Sequence, residues 1–306
     1  MPRLRQTMAA GYIVASSTLV AQTPSGSGVG PRGQPVIDVH VHTGTIASLP
    51  RALAELDSNG VVIAFVSGPA AVATAWAGSH PNRIMAGALF PCPGGRVPNN
   101  GPQCFPGDAE LPSLESLRAE IKAGRLHFLG EITTQYAGWS VTDPRMEPFY
   151  ALAEELDVPI GVHLALAPVS TPYKCCPGFR SALGNPLQLE DVLVKHPKLR
   201  VWVMHAGYPY SAEMKAIMLV YPQVYVDVAA IDLPFIVPRA SFHDYLQELM
   251  RAGVGKRIMF GSDYSPIRSA IESIETASFL SAEERRDILF NNAAKFFRLD
   301  TLKRLP

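Results

Sequence analysis

Six side chains able to bind a metal ion or carry a proton interrupt otherwise apolar runs in this 306-residue chain. They are His40 and His42 in VIDVHVH, Glu131 in FLGEIT, His163 in GVHLA, His205 in VMHA and Asp263 in GSDY. Histidines two apart on an extended strand face the same side, close enough to chelate one ion. Taken singly, each residue has a plainer reading as a hydrogen-bonded core histidine, a cap or an ion-pair partner. Together they are costly to bury unpaired. A divalent cation satisfies neutral imidazole nitrogen and carboxylate oxygen at once. Asp38 shares the parity of His40 and His42 but lies deeper. It either orients a histidine or binds backbone amides. His80, His127, His196 and His243 fall outside this pattern and receive no catalytic role.

The elements that must position these groups follow an alternating pattern. Short apolar runs occur at 36–42, 61–67, 84–90, 127–133, 159–165, 200–206, 224–230 and 258–264. Most are continuous rather than alternating, as parallel strands buried on both faces are. Helix-like stretches separate them. LPSLESLRAEIKAG has Leu114, Leu117 and Ile121 at helical spacing and Gly124 as a stop. DPRMEPFYALAEELD opens with an aspartate cap and a proline, and Ser281 with Glu284 forms a capping-box pattern. Eight such strands predict a (β/α)8 TIM barrel over residues 36–306, whose chemistry sits at the carboxyl ends of the strands. The six residues above lie near those ends. No GxGxxG or Walker pattern follows any strand, so nothing supports a nucleotide site.

The ordered set, HxH on strand 1, a histidine on strands 5 and 6 and the aspartate of GSDYS, resembles the amidohydrolase superfamily across residues 36–299. NPLQLEDVLVKHPKLRVWVMHAGYP and ILFNNAAKFFRL resemble the amidohydrolase-related branch, which includes metal-dependent hydrolases, lactonases and aromatic acid decarboxylases. The GEI at 130–132 is similar to the strand-4 motif of TatD-like hydrolases. The resemblance implies two metal arrangements. In one, His40, His42, His163 and Asp263 bind a single zinc and His205 stays free as acid or base. In the other, His40, His42 and Asp263 hold a first ion, Glu131 bridges, and His163 and His205 hold a second. One tight ion with Glu131 beside it is the expectation taken forward. The implied activity is hydrolysis of a small amide, ester or lactone, with Asp263 taking the proton of water and His205 steadying the oxyanion or binding a second ion. A non-oxidative decarboxylase on the same site, and a metal-binding barrel without catalysis, are the alternatives.

Lys plus Arg and Asp plus Glu are each 27, so no basic excess points to nucleic acid. A small molecule is the expected partner, and a homo-oligomer remains open. Residues 1–21 carry Arg3 and Arg5, a short apolar run and a small residue at the end, resembling a secretory signal peptide. Residues 22–35 read as a linker. The expected location is periplasmic or secreted, or cytoplasmic if that segment is no signal, with no stable membrane insertion once it is removed. Cys92 and Cys104 flank a Pro/Gly/Asn loop that a disulfide could close in an exported protein. Adjacent Cys175 and Cys176 are expected to stay unbonded to each other, since that geometry is strained. The loops after strands 3 and 5 are long enough to act as lids. In and around them, Arg180 is the candidate clamp for a substrate carboxylate, and Tyr136, Trp139 or Tyr173 the candidate ring-stacking residue.

Overall fold

The computed structural model describes residues 34–99, 101–263 and 266–299. The expected signal peptide, and all but two residues of the expected linker, lie outside them. Eight parallel strands run in chain order around a (β/α)8 barrel. They are β1 (Val36–His42), β2 (Val61–Ser67), β3 (Ile84–Phe90), β4 (Phe128–Ile132), β5 (Ile160–His163), β6 (Val201–Met204), β7 (Val224–Asp227) and β8 (Ile258–Met259). The ring closes where the Val39 N–H donates to Phe260 O at 3.0 Å and the Asp263 N–H donates to His40 O at 2.8 Å. The first three strands have the expected bounds. The others are shorter; β6, for example, stops where His205 takes a φ of 59°.

Two apolar layers follow from this closure. Val61, Ala64, Ile84, Ile160, Val201 and Val224 face outward onto the helices. Ile37, Phe65, Phe128, Trp202 and Met259 fill the interior, closed from below by Phe296, Phe297 and Leu299 near the end of the described chain. The Phe297 ring stacks on Phe65 with centroids 3.7 Å apart and meets Trp202 edge-on. The floor is tight enough to dictate small residues above it. A Cβ on Gly87 would sit 2.2 Å from the Phe128 ring, which is itself fully buried. Gly87→Ala is therefore expected to cost about 1–3 kcal/mol of stability, read as a lower urea midpoint with an unchanged slope.

Among the described residues, no helix is long and apolar enough to cross a membrane. Ser281 and Glu284 form the expected capping box. The Asp143 cap is displaced: the helix begins at Glu147, and Asp143 caps the preceding turn by accepting from the Arg145 N–H. Cys92 and Cys104 are disulfide-bonded. Cys175 and Cys176 are also bonded to each other, against expectation. Thr171 O accepts from the N–H groups of both, 3.2 Å each, which turns the chain and brings the two side chains together.

Candidate active site

All six expected residues converge at the carboxyl ends of the strands. The pairing of β1 with β2 slips between Asp38 and Val41, so Val39 packs in the interior layer while the next residue, His40, enters the site. His40 Nε2 and His42 Nε2 face each other at 3.3 Å. Asp263 Oδ1 lies 2.9 Å from His42 Nε2 and 3.7 Å from His40 Nε2. Glu131 sits between two pairs of imidazoles. Its Oε2 is 3.3 Å from His42 Nε2 and 3.9 Å from His40 Nε2, and its Oε1 is 3.0 Å from His163 Nδ1 and 3.7 Å from His205 Nε2.

The outward-facing nitrogens of three of these rings fix which lone pairs point inward. His40 Nδ1 meets Asp227 Oδ2 at 3.1 Å, His205 Nδ1 meets Ala229 O at 2.9 Å, and His163 Nε2 meets Leu166 O at 3.0 Å. Each outer nitrogen donates to its oxygen, which leaves the inner nitrogen of a neutral ring as an acceptor with no proton of its own. With these rings neutral, their inner nitrogens and the carboxylate oxygens crowd together as lone-pair donors. That is the donor set of a cation site. Ligands ~2.0–2.2 Å from a zinc ion lie roughly 3–3.5 Å from one another, close to the separations found here. Asp263 Oδ1 is buried and faces the inner nitrogens of His42 and His40, as a ligand atom of such a site would.

Sequence reasoning missed Asp227. Its carboxylate is fully buried at the end of β7 and accepts four hydrogen bonds. The donors are His40 Nδ1 and Trp202 Nε1, both at 3.1 Å, and the N–H groups of His205 at 2.8 Å and Ala229 at 3.1 Å. Asp227 thus orients His40, the role entertained for Asp38. Asp38 instead accepts from the N–H groups of His40 and Ser262, and burial raises its pKa to about 7.

Burial would pull the His40 pKa down, but Asp227, then Asp263 and Glu131, outweigh it and hold it well above the usual value. Burial drives His163 the other way, to about 4. Burial likewise pushes Glu131 up, but the imidazoles, His163 foremost, hold it well below the usual carboxylate range. A proton shared among such groups is what a bound metal displaces. The backbone is also specialised here: His205, Ala206, Ala230 and Asp263 all have positive φ, between 50° and 61°. Left-handed backbone at residues with side chains is uncommon and clusters at functional sites.

Two cavity lobes of about 450 and 220 Å³ open over the cluster and share Tyr136, His163, His205 and Asp263. Tyr136 is buried, with its ring 4.9 Å from that of His163. The other loop candidates are not brought in. Arg180 Nη1 donates to Pro177 O and Phe179 O, and the residue lines a neighbouring cleft that shares Leu166, Ala167, Pro168 and Val169 with the larger lobe. Trp139 carries the Arg145 guanidinium 3.4 Å above its ring, and Tyr173 is 90% exposed. The four remaining histidines bond elsewhere: His80 to Ser79, His127 to the Ala86 N–H, His196 to Glu147 and Glu154, and His243 to Ser273 O.

The Amidohydro_2 family model, described as amidohydrolase, matches residues 37–299. The chain belongs to the amidohydrolase family. Solved structures similar to this amidohydrolase share its fold. One is a probable 2-pyrone-4,6-dicarboxylic acid hydrolase from Acinetobacter baumannii with citric acid bound, 14% identical, TM-score 0.62, covering 87% of this chain and 100% of that one. Another is a dihydroxybenzoic acid decarboxylase from Polaromonas sp. JS666 with bound manganese and the inhibitor 2-nitroresorcinol. It is 15% identical, with a TM-score of 0.59, covering 89% of this amidohydrolase and 99% of that chain. Protein fluG of Emericella nidulans is 24% identical over 136 residues, 38% of this chain but only 16% of that protein. The amidohydrolase is thus an enzyme of a family that includes hydrolases and whose fold decarboxylases share.

Proposed function

We propose that this amidohydrolase is a metal-dependent hydrolase of a small organic amide, ester or lactone, in which Glu131 would be shared between two divalent cations. One observation carries the reading: the two oxygens of Glu131 face two different imidazole pairs, Oε2 towards His40 and His42 and Oε1 towards His163 and His205. His40, His42 and Asp263 would hold one ion, and His163 and His205 the other. This departs from the single tight ion expected from sequence. When bound there, such cations acidify water and polarise a carbonyl at neutral pH. Zinc suits the imidazole and carboxylate donors, and the manganese of the Polaromonas structure makes it the second candidate.

The chain's own groups supply the proton transfers and the orientation. Asp263 takes the proton of the attacking water and returns it to the leaving group. Asp227 keeps the His40 ring turned inward, and Tyr136 walls the space above His163. Metal analysis of active protein is expected to find two equivalents per chain, and Glu131→Gln to retain about one with greatly reduced turnover. One equivalent in fully active protein would return Glu131 to a bystander. Incorporation of labelled water without release of carbon dioxide separates hydrolysis from decarboxylation. We also propose export, supported by the Cys92–Cys104 disulfide. Amino-terminal sequencing of the mature protein is expected to show cleavage after Ala21.

A further inference from the structure

The larger lobe is walled by Leu166, Val169, Ile231, Phe235 and Ile236, and its polar groups lie at the bottom, in Tyr136 and the cluster itself. The smaller lobe adds the neutral polar residues Thr43, Asn99 and Thr133. Neither lobe has a lysine or arginine among its described lining residues. The arginine best placed in sequence to supply one, Arg180, lines the neighbouring cleft, which shares Leu166, Ala167, Pro168 and Val169 with the larger lobe, but its Nη1 is engaged by carbonyls of its own loop. An anion held against the apolar walls, away from the cluster, would lose its water and gain no countercharge from the side chains around it. Phe235 is 67% and Val169 86% exposed, an apolar rim that an uncharged ring or chain would cover on entry.

We infer that the part of the substrate lying beyond the reacting bond is apolar and uncharged: an aryl or alkyl lactone or ester rather than a di- or tricarboxylate. The inference rests on the hydrolase reading for the bond cleaved, but its cavity argument stands apart from that reading. The smaller lobe, with hydroxyl and amide groups near Glu131, takes the compact polar side of the reacting group. The larger takes the hydrocarbon.

The test pairs probes that share one scissile bond. Zinc- or manganese-loaded protein is given ring-methylated phthalide and the same lactone with a carboxylate at that ring position. Their non-hydrolysable counterparts, a methylated 1-indanone and the matching indanone carboxylate, are titrated by calorimetry. The methyl lactone is expected to exceed the carboxylate in kcat/KM by roughly 100-fold, since each tenfold step corresponds to a small fraction of a desolvation penalty. The indanones are expected to follow the same order in affinity. Phe235→Arg, at an exposed position, is expected to narrow both ratios at least tenfold by placing a cation at the rim. Equal or better use of the carboxylate by the unmodified protein overturns the inference, and so does failure of the neutral indanone to bind. If neither lactone turns over while the neutral indanone binds preferentially, the inference stands and the hydrolase reading falls.

Discussion

Asp263→Asn is expected to lower kcat/KM by roughly 10²–10⁴-fold, the range associated with loss of a positioned general acid or base, while leaving the fold intact. The structural side of that expectation is specific. Asp263 has a φ of 59°, and asparagine adopts left-handed backbone about as readily as aspartate. The bond from its N–H to His40 O, which helps close the barrel, is made by the main chain and survives the change. What is lost is the anion whose Oδ1 lies 2.9 Å from His42 Nε2. A thermal melt within a few degrees of the parent, together with metal-dependent turnover near the background rate, is the expected pair of results. Full turnover in the variant would remove Asp263 from the proton route.

The second large effect is expected at a residue that touches neither substrate nor metal. Asp227→Ala leaves the side-chain N–H groups of His40 and Trp202 and the main-chain N–H groups of His205 and Ala229 without an acceptor in a fully buried site. Removing one partner from such a buried charged network costs about 3–5 kcal/mol, seen as a lower denaturant midpoint. Asp227→Asn separates stability from orientation. Its single carbonyl can still accept from part of the network, but its amide faces some groups that are themselves donors. Metal affinity is expected to fall about 10–100-fold, as is usual when the partner of a ligating histidine is lost. Unchanged metal affinity in Asp227→Asn would mean that His40 is held inward by packing alone.

Asp227 also shows where sequence reading stops. VYVDVAA interrupts an apolar run with a carboxylate just as the other strand ends do, so the signal was present. What was missing was the direction: only the fold reveals that this oxygen pair reaches back to His40 and across to Trp202. The convergence of His40, His42, Glu131, His163, His205 and Asp263 was legible because parallel strands impose a common end on residues far apart in the chain. The reach of a flexible arginine was not, and Arg180 satisfies its own loop instead. Helices were readable where one face is apolar and the other charged, as in Leu114–Lys122. The helix Ala70–Ser79, composed almost wholly of small and apolar residues, offers no such contrast and escaped notice. The adjacent cysteines went wrong for a local reason, since a shared carbonyl acceptor at Thr171 bends the chain in a way residue types do not announce.

The interior of the barrel is closed from below by Phe296, Phe297 and Leu299, residues that follow all eight strands. During synthesis the sheet therefore emerges from the ribosome before its own floor does. Until those aromatic rings arrive, Phe65 and Trp202 face an open, water-filled base, and the nascent barrel lacks part of the apolar contact that fixes its shape. The apolar contacts that complete the barrel interior thus depend on residues translated after all eight strands.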